Sequence, residues 1–354
     1  MPDTIQSANE LQQPVQNVPA SVLIFIDPDR QDLGSRIIRG LGMAEQFQQQ
    51  GVQNIQLACS DCVLVTRETE KRKAGWIPVQ TETGRFSLAD VLRQNPADLV
   101  IADVASSAEI ERAQQISDAI FICLEDEFQE EKMLADVLVC PTLLSAPDFE
   151  NLKLPPSHIA RCLHGTRYLC LPEEYDQPAC HTAGAVIFAA GSRTTTEELT
   201  TWLRLIPNWN LGYMFLYLDC PQEQERQLLE QFSWLDITGR SKGITERLDI
   251  IHSAKVIVSF PALQVYEFWA RGKAVLLLAR NQQEVELCQY YAENGLSPYI
   301  SVTGENAVSE VRQKMEDLVH NHDLRKPYEN QAYSIISNRE KHMLLHDIMR
   351  MCYG

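Results

Sequence analysis

No stretch of this sequence approaches the ~20 consecutive apolar residues that a membrane-spanning helix needs. Positive charge is also scarce: 31 Lys and Arg stand against 48 Asp and Glu, a formal net charge of −17. That balance excludes a broad nucleic-acid footprint, which requires a basic face to meet phosphates. A local pocket for two phosphates stays open, because backbone amides can line one. Neither GxxxxGK[ST] nor GxGxxG occurs, and the eight histidines show no HExxH or other metal-ligand spacing. His342 and His346 are four apart, but no acid ligand stands beside them. The single CxxC, Cys59 to Cys62, has redox spacing and follows a strand, but a redox site wants such a pair leading a helix in a specific fold, and no second CxxC completes a zinc site. Two ordinary cysteines near a strand end are the simpler reading.

What is present describes a globular α/β protein. The chain of 354 residues is 45% hydrophobic and 22% charged, a composition that builds packed cores and is too long for one ordinary domain. The ten cysteines are scattered and follow no secretory leader pattern, so reduced thiols and a cytoplasmic location are expected.

Residues 1–20 are rich in Gln, Asn and Pro with little periodicity and read as a mobile extension. Folding starts at Ser21 with VLIFID, a continuous apolar run suited to a buried parallel strand. A loop from Pro28 to Gly34 leads to a helix over Arg36 to Gln50, closed by Gly51 as its C-terminal cap. The alternation then repeats: strand Ile55–Ala58, helix Leu88–Arg93, strand Leu99–Asp103, helix Ala108–Ile116, and strands Ala119–Leu124 and Val137–Cys140. Such alternation predicts a parallel sheet covered on both faces. The acidic run EDEFQEE at 125–131 reads as a solvated turn.

From Leu144 to Ala183 the pattern thins and prolines accumulate, which marks a crossing between domains. Alternation resumes with strand Ala185–Ala190, helix Thr196–Leu205, strand Tyr213–Leu218 and helix Glu223–Phe232. The stretch from Val256 to Gly295 is the most telling. A strand (Val256–Ser259) leads through a short loop to a helix opened by Tyr266–Glu267. A second strand (Ala274–Ala279) follows, then Asn281–Gln282 and a helix ending at Gly295. The expected organisation is a domain at 21–178, a second at 179–326, and a helical segment at 327–354.

This order resembles the GT-B superfamily, in which a glutamate contacts the nucleotide ribose and an Asn-Gln or Asp-Gln pair follows the next strand. Beyond residue 20 it is similar to one family within it, the UDP-2,4-diacetamido-2,4,6-trideoxy-altropyranose hydrolases of pseudaminic acid biosynthesis. Asp27 matches the acid that ends the opening strand. SRIIRGLGMAEQF matches the first helix, with Arg39 in the arginine place of Gly-His-x-x-Arg. Glu125–Asp126 stands for an Asp-Asp pair. Leu163, Gly165, Tyr168 and Leu171, with Glu174–Tyr175 after them, match the segment before the domain crossing. Ala190–Gly191–Ser192–Arg193 stands for a Gly-Gly-Ser-Asp phosphate loop.

The resemblance implies two Rossmann-like domains with parallel sheets and a cleft between them, and a C-terminal helix crossing back to the first domain. It implies UDP or a UDP-sugar as partner, a sugar acceptor of unknown identity, and neither a cofactor nor a metal. Gly191, Ser192, Glu267, Asn281 and Gln282 become the nucleotide-binding candidates. Glu267 can equally be a helix-start acid, and Gly191–Ser192 a plain turn before the capping run TTTEE.

The departures fall on the chemistry. Arg36 stands where the family has its proton-handling histidine, and Ser35 where it has glycine. A guanidinium cannot act as a base at physiological pH. Ala105 replaces a tyrosine, Arg193 an aspartate, and Pro261–Ala262 the small pair ahead of the ribose glutamate. Asp27, Arg36, Arg39 and His164 are therefore only candidates for catalytic roles. Arg36, Arg39 and Arg193 can serve as anion ligands in the cleft, and the two helix arginines can equally be solvated surface positions. A nucleotide-sugar enzyme of glycosyltransferase or hydrolase type, in surface-glycan or nonulosonic acid biosynthesis, is the first expectation. A non-catalytic nucleotide-sugar-binding or assembly protein is the alternative.

Overall fold

The computed structural model describes the chain apart from residues 1–17, 31, 61–62, 82–83, 127–134, 143–160, 179–184, 191–193, 206–213, 219–221, 233–235, 239–242, 304–305, 338–342 and 354. The first half runs β1 (Ser21–Ile26), α1 (Leu33–Gln49), β2 (Asn54–Cys59), α2 (Val63–Arg72), β3 (Gly75–Pro78), the small hairpin β4 (Gln80–Thr81) and β5 (Gly84–Arg85), α3 (Leu88–Gln94), β6 (Leu99–Asp103), α4 (Ser107–Gln114), β7 (Ile120–Leu124), β8 (Val137–Cys140) and β9 (Cys162–His164). Its main sheet has seven parallel strands in the order β3-β2-β1-β6-β7-β8-β9.

The second half runs β10 (Ala185–Ala190), α5 (Thr196–Leu205), β11 (Met214–Leu218), α6 (Gln222–Gln231), β12 (Asp236–Thr238), α7 (Ile244–Ser253), β13 (Ala254–Ser259), α8 (Gln264–Ala270), β14 (Val275–Ala279), α9 (Gln282–Glu293), β15 (Tyr299–Ser301), α10 (Ala307–His320), α11 (His322–Ser337) and α12 (Met343–Tyr353). Its sheet has six parallel strands in the order β12-β11-β10-β13-β14-β15. In each sheet the strand order reverses once, between β1 and β6 and between β10 and β13. Open parallel sheets bind ligands in the crevice at the strand C-termini beside such a reversal.

Continuous apolar strands exist here because both sheet faces are covered. In β1, Leu23 and Phe25 face Leu88, Val91 and Leu92 of α3 and Ile110 of α4. Its alternate residues Val22, Ile24 and Ile26 face the α1 side, with Ile37, Ile38, Leu41 and Phe47. In the second sheet Val186, Phe188, Val256 and Leu276 pack with Leu199, Trp202, Val311 and Met315. The apolar cluster that includes α1 continues into Ile187, Ile257, Phe268, Trp269 and Leu344, so the two halves share one buried face.

Local signals explain several boundaries. Gly51 has φ 96° and follows a helix end closed by Gln50 N–H donating to Gln46 O, a left-handed exit that suits glycine. Ser87 and Asp90 cap α3 reciprocally, which fixes its start. Helix α1 begins at Leu33, earlier than the expected Arg36, after Asp32 in a left-handed conformation. The expected crossing at 144–183 contributes β9 to the first sheet, because three residues of a proline-rich segment suffice for an edge strand. Pro327 does not open the last helical segment but lies inside α11. There Arg325 donates to Glu329 and to Leu318 O, tying α11 to α10.

The C-terminal helix does return to the first half. Tyr168 Oη donates to Asp347 of α12 at 2.8 Å, and Leu344, Leu345 and Ile348 are buried in the shared cluster. Among the described residues, no helix is long and apolar enough to cross a membrane.

Candidate functional site

At the C-terminal ends of the first sheet the chain brings charges together around the β1/β6 reversal. Asp27 follows β1, Asp103 ends β6, and Glu125–Asp126 follows β7. Helix α1, which leaves β1, supplies Arg36 and Arg39, and the intervening loop supplies Arg30. Arg36 Nη1 donates to Asp103 Oδ1 at 2.6 Å and lies 2.8 Å from Asp126 Oδ2. Arg39 Nη2 donates to Asp103 Oδ2 at 2.6 Å, and its Nη1 to Asp126. Arg30 adds contacts to Asp103 and Glu125 at 3.1 and 3.2 Å. Asp27 accepts from Arg85 Nη2 at 2.6 Å, from Ala105 N–H at 3.1 Å and from Asp29 N–H at 3.0 Å.

Arg36 and Arg39 are 3% and 1% exposed, so the expectation of solvated helix arginines fails. Charged side chains this deep persist only when paired. Glu125 is buried as well, which corrects the solvated-turn reading at its first residue, and Asp126 beside it is bound to arginine; residues 127–131 lie outside the described residues. The pairing sets protonation. Burial alone would depress the pKa of Arg36, but Asp103 and Asp126 outweigh it and raise the value. Burial likewise pushes Asp126 and Asp103 upward, and the arginines outweigh it, holding both carboxyls below the usual carboxylate range. Arg39 is raised in the same way, burial being outweighed by Asp126 and Asp103, so these four groups stay charged near neutral pH and none of them exchanges a proton there.

His164 ends β9, and β8 lies between β9 and β7. It is exposed, about 10 Å from β7 by ordinary strand spacing. Partial desolvation and nearby Arg167 lower its pKa.

In the second half, Glu267 sits in the first turn of α8, just after β13 and the sheet reversal. It is 1% exposed. Its Oε1 accepts from Ser35 Oγ of α1 at 2.5 Å, and its Oε2 from Tyr175 Oη at 2.7 Å. Tyr175 belongs to the short turn Glu173–Tyr175 between the two halves, which Arg271 Nη1 grips through Glu174 O at 2.8 Å. Asn281 is the N-cap of α9, its Oδ1 accepting from Glu284 N–H at 2.9 Å. Gln282 is exposed and donates to Glu286. Gly191, Ser192 and Arg193 lie outside the described residues.

The structure thus gathers Arg36 and Arg39 into one charged cluster with Asp103 and Asp126, places Asp27 next to it with its carboxylate held by Arg85, and sets Glu267 beside α1. It leaves His164 apart. Asp126 was matched only to a family Asp-Asp pair and given no role, and Asp103, Arg30 and Arg85 were not foreseen as members of the site. One signal was available: acids end both central strands, β1 and β6, on either side of the reversal.

By sequence the chain matches no protein-family model and no curated protein. By structure it is similar to many solved chains. Anabaena HepE in complex with UDP-glucose shares 9% identity at a TM-score of 0.62, covering 93% of this chain and 98% of that one. Arabidopsis thaliana UGT89C1 complexed with quercetin shares 11% identity at a TM-score of 0.61, covering 95% and 100%. A glycosyltransferase from Rickettsia africae shares 11% identity at a TM-score of 0.56, covering 93% and 98%. With two parallel sheets and a helix returning to the first, the chain has the GT-B fold. At these identities the likeness establishes the fold, and function has to be argued from the site.

Proposed function

We propose that this protein handles a nucleotide-sugar, a UDP-sugar, in the manner of a glycosyltransferase of surface-glycan or nonulosonic acid biosynthesis. The 179–326 domain takes the nucleotide, with Glu267 at the ribose, Gly191 and Ser192 at the phosphates, and Asn281–Gln282 alongside. The 21–178 domain faces the sugar and its acceptor. The observation that carries this reading is Glu267. It is a buried carboxylate in the first turn of the helix after β13, and both its oxygens accept from hydroxyl groups. Hydroxyl donors are what a ribose diol offers. The likeness to HepE, which was crystallised with UDP-glucose, supports the same choice.

Transfer fits this chain better than hydrolysis. The arginines and acids at the first sheet's strand ends are locked as ions, so they supply no general acid or base. A transferase can draw much of its rate from positioning and charge stabilisation instead. The same locked cluster favours a second reading, binding without turnover.

Calorimetry with UDP and with its 2′,3′-dideoxy analogue tests the first reading. UDP is expected to bind at least tenfold more tightly than the analogue, and equal affinity would remove Glu267 from the ribose. Release of UDP from UDP-sugars, with and without candidate acceptors, separates transfer from silent binding.

A further inference from the structure

The contact between Ser35 and Glu267 joins residues 232 apart in sequence, one in the first half's α1 and one in the second half's α8. Tyr175, from the connecting turn, takes the other carboxylate oxygen. That turn is tied to both halves. Arg72 of α2 holds the Glu174 carboxylate at 2.7 Å, while Arg271, just past the end of α8, holds the Glu174 carbonyl at 2.8 Å. Gly42 lets the connector run against α1, since a Cβ there would lie 2.7 Å from the Leu171 carbonyl carbon. Glu267 is therefore the point where first half, connector and second half meet.

Both donors are neutral hydroxyls that together occupy the two oxygens of one acid. A vicinal diol presents the same pair of donors. We propose that Ser35 and Tyr175 form a hydroxyl clasp on Glu267 that keeps the two halves shut, and that a ligand's diol opens it by replacing the Ser35 hydroxyl. This rests on the reading that the second half binds a nucleotide. It adds that the protein as described is a self-occupied state, in which the ligand's acceptor is already filled by the protein's own side chains. The chemistry favours exchange over simple insertion. Glu267 is 1% exposed, so a diol reaches it only when α1 withdraws. A buried carboxylate deprived of a donor is costly, so the withdrawn state stays sparsely populated until a ligand hydroxyl takes the place of Ser35.

The test compares the full-length protein with Ser35→Ala and Tyr175→Phe. UDP and 2′,3′-dideoxy-UDP are titrated calorimetrically, and hydrogen–deuterium exchange is followed over 33–49 and 264–270 without ligand. Losing one hydrogen bond to a charged group shifts an equilibrium by roughly tenfold or more. Ser35→Ala is therefore expected to bind UDP about tenfold more tightly than the parent, with a much smaller gain for the dideoxy analogue. Both variants should exchange faster at 264–270. Unchanged or weaker UDP binding by Ser35→Ala, or exchange identical to the parent in both variants, overturns the clasp. If UDP binds to no form, the nucleotide reading fails and exchange alone decides. Faster exchange then keeps Ser35 and Tyr175 as an interdomain latch, and unchanged exchange removes it.

Discussion

Arg36 Nη1 lies against both oxygens of Asp103, at 2.6 and 2.9 Å, beneath the strand ends of the first sheet. Arg39 completes a box by reaching Asp103 and Asp126 from the next turn of α1. The position that resembles a family histidine is thus part of a closed ion-pair lattice, with consequences for both stability and chemistry.

Replacing Arg36 by His should not create a hydrolase. A neutral imidazole would leave Asp103 and Asp126 short of one partner, and breaking a buried pair from one side costs about 3–5 kcal/mol. Denaturant unfolding of Arg36→His is expected to show a loss of that order, with no UDP release from UDP-sugars. Adding Ser35→Gly, which copies the local sequence of the hydrolases that this segment resembles, should not rescue release. Rapid UDP release by the parent without any acceptor would falsify this account and redirect attention to His164.

Acid should dissolve the same lattice. Asp103 and Asp126 have folded pKa values below those of free carboxylates, with burial opposed and outweighed by the arginines. The unfolded chain therefore binds more protons in this window, and stability rises with pH. Their contribution is complete above the unfolded value of about 3.9 and drains away as pH falls from there toward the lower folded values. Thermal unfolding followed from pH 6 to pH 2 should steepen below about pH 4. Asp103→Asn is expected to be less stable at pH 6 and to show a shallower acid slope. A slope equal to the parent's would mean the acid sensitivity lies elsewhere.

How much of this was legible in the sequence depended on the range of each interaction. Continuous apolar runs such as VLIFI and VLLLA report burial on both faces directly, and their strands fall within a residue of expectation. Helix α2 escaped because VLVTRETEKR carries mostly polar side chains, and β3 because GWIP is bounded by a glycine and a proline and has only two apolar side chains between them. Edge strand β9 hid in the proline-rich crossing. Site chemistry was less visible still. Arg39 meets Asp103 across 64 residues, and Ser35 meets Glu267 across 232, separations at which no spacing rule operates. Asn281 was read from the sequence as a nucleotide contact, and the structure shows it capping α9. That local role leaves its part in nucleotide binding to be measured.

Asn281→Ala should separate those two roles. Removing an N-cap acceptor costs typically ~1 kcal/mol, so a modest fall in stability is expected from the lost bond to Glu284 N–H. Calorimetry with UDP on the same variant reads the other role. An affinity drop well beyond tenfold would assign Asn281 to the ligand, and an unchanged affinity would leave it as a cap.

Gly42 offers a sharper steric test. A Cβ there would meet main-chain atoms of Cys170 and Leu171 at 2.7 to 2.9 Å, and backbone yields less readily than a flexible side-chain tip. Gly42→Ala removes a helix-interior glycine, which in an open helix would gain roughly 1 kcal/mol. Here overpacking, worth about 1–3 kcal/mol, should win and push the connector away from α1. The expected result is a less stable protein with faster hydrogen exchange at 168–175. A variant more stable than the parent would mean that the connector is free to move off α1.

A buried polar contact set in an apolar seat holds the returning helix α12. Tyr168 Oη donates to Asp347 at 2.8 Å, and burial together with Asp347 pushes the tyrosine's pKa upward, so the phenol stays protonated and donating. Leu344, Leu345 and Ile348 anchor the helix around that contact. Tyr168→Phe keeps the ring and removes only the donor, leaving Asp347, 3% exposed, with less compensation. Arg350, 3.4 Å away, remains near it, so the loss should sit at the lower end of the ~1.5–3 kcal/mol for hydrogen bonds to charged groups. Because the seat is apolar, the helix should loosen without unfolding the protein. Limited proteolysis is expected to clip Tyr168→Phe within 343–353 sooner than the parent, while the sheets stay intact. Equal cleavage rates would show that the apolar seat alone holds α12, with the hydroxyl contributing nothing to its return.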